Sequence, residues 1–324
     1  MKHRRLSERD LISDLEQRFR SSDDRIVLGI GDDAAVIRPG EVPLVLTKDM
    51  LVEDVHFFPD HPPELLGRKS LSVNLSDLAA MGARPRFALL GLGLPEDCDR
   101  GWVNRYFIGL EEIAAQYDVS LIGGDITASS KVTVSLTLLG EGRHITPRSG
   151  ARPEDAIYVS GNLGDAAQGL HLAGRGVLWG ADRSSDRFLK AYLDPVPRVD
   201  LGLKLAAHHA VTAMIDISDG LSVDLGHICE ASETGAEVEA SSLPISAELL
   251  QASPDAEALA LHGGEDYELL FTVAPHTIEN LTRIQLGCKI TRIGSICEGS
   301  GMVLVDAEGR RRPLEKNGFQ HFRH

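Results

Sequence analysis

The chain has 324 residues, 43% of them apolar and 25% charged, and carries a formal net charge of −15. That length exceeds what one hydrophobic core usually serves, so two domains are expected. The acidic balance excludes a surface built to grip nucleic-acid phosphates or anionic lipid, and no apolar run reaches the roughly 18 residues of a membrane helix.

Cys98, Cys229, Cys288 and Cys297 lie far apart with no CxxC pair. Zinc and thioredoxin-like chemistry are therefore not expected, and reduced thiols in a cytoplasmic protein are. The basic MKHRR opening is followed by SERDLISDLEQRF, where a signal peptide needs an apolar stretch.

Ser7 and Asp10 form an N-cap signature, and Leu11, Leu15 and Phe19 follow on one face, predicting a helix over about 7–20. IVLGIG (26–31) and VPLVLT (42–47) read as strands, with PGE (39–41) as the turn before the second. A helix is predicted over 63–81, where Asn74 and Asp77 share a face, followed by a buried strand FALLGLGL at 87–94. A helix over about 100–117 leads to strands VSLIGG (119–124) and KVTVSLTLLGE (131–141), so IGGD is expected at a strand end. The aperiodic HITPRSGARPED (144–155) reads as a linker, cut near 149 to give domains of 1–148 and 149–324.

Beyond the linker, AIYVSG is strand-like and LGDAAQGLHLA helical, with GADRSSD (180–186) as a solvated loop. A helix at 199–209, strand AMIDI (213–217) and helix 220–233 follow, making DISDG a strand-to-helix junction. YELLFTV as a strand, a helix at 275–286, strand CKITRIGSI and a hairpin around DAEG (306–309) complete the chain. Both halves mix sheet and helix, so the expected class is α/β of the α+β type with two mixed-sheet domains.

Six segments set aspartate or glutamate beside glycine or a small residue: GIGDDAA (29–35), TKDM (47–50), NLSDLAAMGA (74–83), IGGD (122–125), DISDGLSVDLGHI (216–228) and GGEDYEL (263–269). One such acid is ordinarily a turn residue or helix cap. Six of them concentrate negative charge that cations would offset, and carboxylates suit Mg²⁺ completed by water and substrate phosphates. Glycine lets backbone approach a phosphate closely.

GIGDDA also matches the dinucleotide fingerprint GxGxxA, with Asp49 at the ribose-binding distance. Against a dehydrogenase, Asp32 and Asp33 occupy the pyrophosphate position and AAVIRPGE continues into a strand rather than a helix. His56 reads as a strand histidine or, near Asp49, a site residue. Tyr117 at a helix end stacks on a base or fills core. Arg148 at a cleft mouth suits bidentate phosphate contact. Phe319, in the terminal GFQHF, can cover a ring-bearing substrate.

GIGDDAAV, TKDMLVEDVHF, NLSDLAAMGARP, LIGGD, TPRSGARPED, IDISDGLSVDLGHI, GGEDYELLFTV and GFQHF, in this order over nearly the full length, resemble the thiamine-monophosphate kinase family. That family lies within the aminoimidazole ribonucleotide synthetase superfamily. The resemblance implies ATP and thiamine phosphate as substrates, several Mg²⁺ ions, and a homodimer whose N-terminal domains share a barrel while helices cover the C-terminal sheet. It implies metal contacts from Asp33, Thr47, Lys48, Asp49, Asp77, Asp125, Asp216 and Asp219, of which Asp49, Asp77 and Asp125 are catalytic. It assigns Tyr117, Gly124, Asp125, Arg148 and Ser218 to ATP, and His56, Glu265 and Phe319 to the thiamine moiety. Asp32, Asn74 and Asp224 are secondary candidates.

The sequence departs from the family pattern at Lys48 (usually Thr), Asp54 (often Gly) and Gln320 (commonly Asp). At position 48 only the main-chain carbonyl can serve a metal. The phosphate acceptor, with a second pKa of about 6, is already a nucleophile at neutral pH, which fits the lack of a Ser-His-Asp or Cys-His set. Alternatives are another ATP-using member of the superfamily, a metal-binding protein without catalysis, or an NAD-binding dehydrogenase. A selenophosphate synthetase would want a reactive cysteine near the N-terminus, whereas the first is Cys98.

Overall fold

The structure is a computed structural model that describes residues 26–28, 35–38, 42–209 and 211–319. The expected helix at 7–20, the PGE turn, most of GIGDDAA including Asp32 and Asp33, and Gln320 lie outside the described residues.

Six strands form the first sheet: β1 (Ile26–Leu28), β2 (Ala35–Ile37), β3 (Leu44–Val52), β4 (Arg84–Leu94), β5 (Ser120–Ala128) and β6 (Thr133–Glu141), in the order β1-β2-β3-β6-β4-β5. β3 and β6 pair antiparallel from Leu44↔Glu141 to Val52↔Thr133. Val134, Leu136 and Leu138 of β6 are buried alternately, the period-two signature of a half-buried strand. Helix α1 (Pro63–Ala80) joins β3 to β4, and α2 (Arg100–Gln116) crosses from β4 to its parallel neighbour β5. The Asp99 carboxylate caps α2 by accepting from the Trp102 amide at 3.1 Å.

The second sheet holds β7 (Ala156–Ser160), β8 (Ala213–Ile217), β9 (Gly235–Glu239), β10 (Glu268–Val273), β11 (Ile290–Cys297), β12 (Gly301–Val305) and β13 (Arg311–Pro313). Their order is β13-β12-β9-β11-β7-β10-β8, and all neighbours are antiparallel except β12 and β9. Between them run α3 (Asp165–Gly174), α4 (Arg183–Leu193), α5 (Val199–Ala207), α6 (Leu221–Ser232), α7 (Ala247–Ala252), α8 (Ala256–His262) and α9 (Ile278–Arg283).

α1 touches β3, β4 and β6 of the first sheet and β8 and β10 of the second. It is buried at 14 of its 18 residues, as a helix lying between two layers must be. Its Leu71 and Leu75 share one core with Val134 and Leu136 on one side and with Met214 and Phe271 on the other. α6 packs on β8, β9, β10 and β12.

Three expectations need correction. IGGD is not at a strand end but inside β5, which runs on to Ala128. Gly124 lies at φ 154 and a Cβ there would collide with the Leu90 carbonyl, so its glycine permits close strand approach instead of ending the strand. GADRSSD is not wholly a loop: Asp182 caps α4, its Oδ1 accepting from the Ser184 and Ser185 amides at 2.9 and 3.0 Å. His56 sits in a turn after β3, not in the strand. The sequence reading does not anticipate β9, α4, α7 or α8.

β1 and β2 pair antiparallel, with Leu28 opposite Val36. The strands on either side of residues 29–34 are thus antiparallel neighbours, not the parallel pair joined by a helix that a dinucleotide fold requires.

Candidate active site

The C-terminal turns of α1 carry the first part of the site. Thr47 Oγ1, on the face of β3 that looks at α1, donates to Asp77 Oδ2. One residue earlier, Ser76 Oγ donates at 2.7 Å to Asp216 Oδ2, near the end of β8. Residues 140 positions apart thus tie the acids of the two halves together.

Asp216 is almost fully buried, and burial is the chief force that pushes its carboxyl up to about 6. The charges of Asp49 and Asp219 push the same way, while the Ser76 hydroxyl and the Arg148 guanidinium oppose. Asp216 therefore feels Asp49, Asp219 and Arg148 together. Tyr267 feels the same acids, its phenol driven well above its ordinary value by burial, then by Glu265, Asp49, Asp216 and Asp219.

Three loops distant in sequence meet at the β8–α6 junction. The Ser218 carbonyl accepts from the Glu265 amide at 2.8 Å, Ile217 accepts from Tyr267 at 2.8 Å, and Asp219 accepts from Phe319 at 3.0 Å. Asp224 Oδ2 accepts from the amides of Asp219 at 3.2 Å and Gly220 at 3.1 Å, holding the first turn of α6. A Cβ at Gly264 or Gly318 would strike the carbonyls of Ser218 and Asp219. Glu265 (φ 74) and Tyr267 (φ 49) adopt the left-handed backbone without being glycine, a cost that clusters at functional sites.

Lys69, fully buried on α1, forms an ion pair with Glu265 Oε2. Its ammonium also donates to the Tyr192 carbonyl at 2.8 Å and lies 3.8 Å from the centroid of the Tyr192 ring. Burial pulls the Lys69 pKa down and Glu265 pulls it back. The Tyr192 hydroxyl donates to the His56 carbonyl at 3.1 Å, and His56 Nδ1 accepts from the Val52 amide at 3.0 Å. Beyond Tyr192 a pocket open to solvent, lined by Phe58, His61 and Trp179 among others, includes none of the site acids.

Other expected residues stand elsewhere. Lys48 faces away from α1, its Nζ donating to Ser135 Oγ at 2.5 Å. Asp125 pairs with Gly91, out of phase with the buried Leu90 and Leu92, and so lies on the sheet face opposite Thr47 and Asp49. Gly124 neighbours it on the exposed β5. Tyr117 caps α2, packs against the first core and donates to the Pro197 carbonyl at 3.2 Å. Asp33 lies outside the described residues.

Lys69, Ser76, Tyr192 and Tyr267 belong to the constellation without having been singled out in the sequence. For Lys69 the sequence gives little signal, because Arg68 beside it is a second cation and only burial distinguishes the two.

Among the described residues no three ligating side chains form a preformed metal cage. The donors fit a hard cation all the same. They are carboxylates and a hydroxyl, Asp216 is destabilised by neighbouring negative charge, and the buried Asn74 Oδ1 has no hydrogen-bond partner among the described residues. Mg²⁺ is commonly held by one or two carboxylates with water and phosphate completing its shell.

Comparison with known proteins agrees with the fold. Residues 31–142 match the family of AIR synthase related proteins, N-terminal domain, and residues 152–312 match the corresponding C-terminal domain. The chain is 40% identical to thiamine-monophosphate kinase of Haemophilus influenzae, with 98% of each chain covered. It is 39% identical to the Escherichia coli (strain K12) enzyme of the same name, over 96% of this chain and 97% of that one. The solved structure of AaThiL complexed with AMPPCP and TMP superposes with a TM-score of 0.88 at 33% identity, covering 99% of this chain and 100% of that chain. By this full-length similarity the chain belongs to the thiamine-monophosphate kinase family, built from the N- and C-terminal domains of AIR synthase related proteins.

Proposed function

We propose that this chain transfers the γ-phosphoryl group of ATP to thiamine phosphate, giving thiamine diphosphate. The observation that carries the reading is the Ser76–Asp216 hydrogen bond, which ties the acid-bearing end of α1 to the buried Asp216 of the second half. AaThiL, a relative of the same fold, was solved with AMPPCP and TMP.

Asp49, Asp77, Asp216 and Asp219 would hold Mg²⁺, with Thr47 orienting Asp77 and Ser76 orienting Asp216. Bound Mg²⁺ supplies neutralisation of the phosphate oxygens and a template for in-line displacement. Arg148 feels Asp216 and suits a phosphate of ATP. The acceptor phosphate is largely dianionic at neutral pH, so no side chain has to remove a proton from it. Transfer is direct, with no phosphorylated side chain. Glu265, Phe319 and His56 would receive the thiamine moiety, whose thiazolium cation is favoured by the acidic surroundings. Ser218 lies between the two groups, its carbonyl on the Glu265 amide.

Asp125, Gly124 and Lys48 are assigned through a second copy of the chain. β5 is an edge strand of its sheet and exposes Leu121, Ile122 and Ile126, and β4 exposes Phe87 and Leu89 on one face. A bare apolar edge invites pairing. A homodimer with a shared barrel would cover it. The change of sheet between Glu141 and Ala156 supports domains of 1–148 and 149–324. The four free cysteines support a cytoplasmic location.

The test is direct: incubate the protein with ATP, MgCl₂ and thiamine phosphate and separate the products chromatographically. Thiamine diphosphate formed together with ADP supports the reading, and its absence at saturating substrates removes it.

A further inference from the structure

The buried ammonium on α1 is the group that the proposed chemistry leaves unused. Lys69 is wholly inaccessible, and an ammonium taken out of water is tolerated only where its donors are met. Here the surroundings are the Glu265 carboxylate, the Tyr192 carbonyl and the face of the Tyr192 ring. Through the Tyr192 hydroxyl the chain of contacts reaches the His56 carbonyl. One cation therefore connects the two residues, Glu265 and His56, assigned to the thiamine moiety.

We infer that Lys69 is a positioning residue that fixes the Glu265 carboxylate to receive the cationic, ring-bearing end of the phosphate acceptor. The inference rests on the proposed thiamine phosphate reading. Lys69 takes Oε2, while the Glu265 side chain stays 21% exposed and so open to a ligand. Glu265 is held on a left-handed backbone, braced by its amide on Ser218, a geometry with few alternatives for the carboxylate to occupy. Lys69 and Asp77 ride on the same helix, separated along its axis by about 12 Å at 1.5 Å per residue. α1 thereby gauges the distance between the ring end of the acceptor and the acids that handle phosphate.

A lysine that merely closed the contact between the halves would change stability and affect both substrates alike. The test compares wild type, Lys69→Met, Lys69→Gln, Glu265→Gln and the Lys69→Met/Glu265→Gln double variant in steady-state assays with ATP and thiamine phosphate, alongside thermal unfolding midpoints. Lys69→Met is expected to raise the KM for thiamine phosphate about tenfold or more while the KM for ATP stays within about twofold, the mark of lost binding on one side only. Lys69→Gln, which keeps N–H donors, falls between the two. The double variant is expected to be no worse than Lys69→Met within about twofold, because the lysine acts through the carboxylate.

Should Lys69→Met unfold, Lys69→Gln and Glu265→Gln carry the comparison. An unchanged KM for thiamine phosphate in any of these single variants, equal rises for both substrates, or multiplicative effects in the double variant overturns the inference. If wild type forms no thiamine diphosphate, the functional reading fails first and takes this inference with it. An active wild type with an insensitive Lys69 sinks the positioning role alone.

Discussion

Asp77 and Asp216 are each met by a hydroxyl, from Thr47 and Ser76, and this arrangement holds carboxylate oxygens in place before any substrate arrives. Replacing Asp49 or Asp77 with alanine is expected to lower kcat by about a hundredfold or more, the scale of losing one electrostatic contact to a transition state. Steady-state assays at saturating Mg²⁺ check this, and near-normal turnover would release both residues from their roles. Asp216 leads to a pH effect. Its folded value of about 6 lies above the ordinary 3.8, so the metal-free protein holds the proton more tightly folded than unfolded. That contribution to stability is complete below 3.8 and is lost as pH rises through 6. A cation prefers the ionised carboxylate, so the rise in melting temperature on adding MgCl₂ is expected to be larger at about pH 7.5 than at about pH 5. Equal shifts at the two pH values would separate Asp216 from the ion.

Helix α1 shows how much was legible in the sequence and where legibility stopped. Its extent is readable because Leu66, Leu71, Leu75 and Leu78 recur at helical spacing despite Gly67, and Asn74 and Asp77 do lie on it. The role of Lys69 is not, because its partner Glu265 lies 196 residues away and only the folded chain joins them. The glycine pair in IGGD was misread for a local reason: glycine usually punctuates, but here it admits the Leu90 carbonyl of a neighbouring strand. α4 hid behind the polar run that caps it, although Phe188, Leu189, Tyr192 and Leu193 give it a buried face.

The same helix supplies a packing test. A Cβ at Gly67 would run into the Tyr106 carbonyl of α2, and one at Gly109 into the Glu64 carbonyl of α1. Gly67→Ala should therefore destabilise the protein by about 1–3 kcal/mol through overpacking, despite alanine's better helix propensity. Urea denaturation measures it, and a stabilised variant would contradict this packing.

At the scale of the whole molecule, none of the described helices is long and apolar enough to cross a membrane, and the edge of the first sheet at β5 leaves Leu121, Ile122 and Ile126 exposed. Ile126, 60% exposed there, is expected to be covered by a second copy. Sedimentation velocity should give twice the chain mass for wild type and a lighter species for Ile126→Glu, and a monomeric wild type would refute the shared barrel. The core that α1 threads is common to both sheets, with Leu71 and Leu75 meeting Val134 on one flank and Phe271 on the other. A body wedged in this way has no free joint about which its halves could swing. The two sheets are then expected to keep their mutual placement when nucleotide binds. Small-angle scattering profiles recorded with and without AMPPCP should accordingly superimpose.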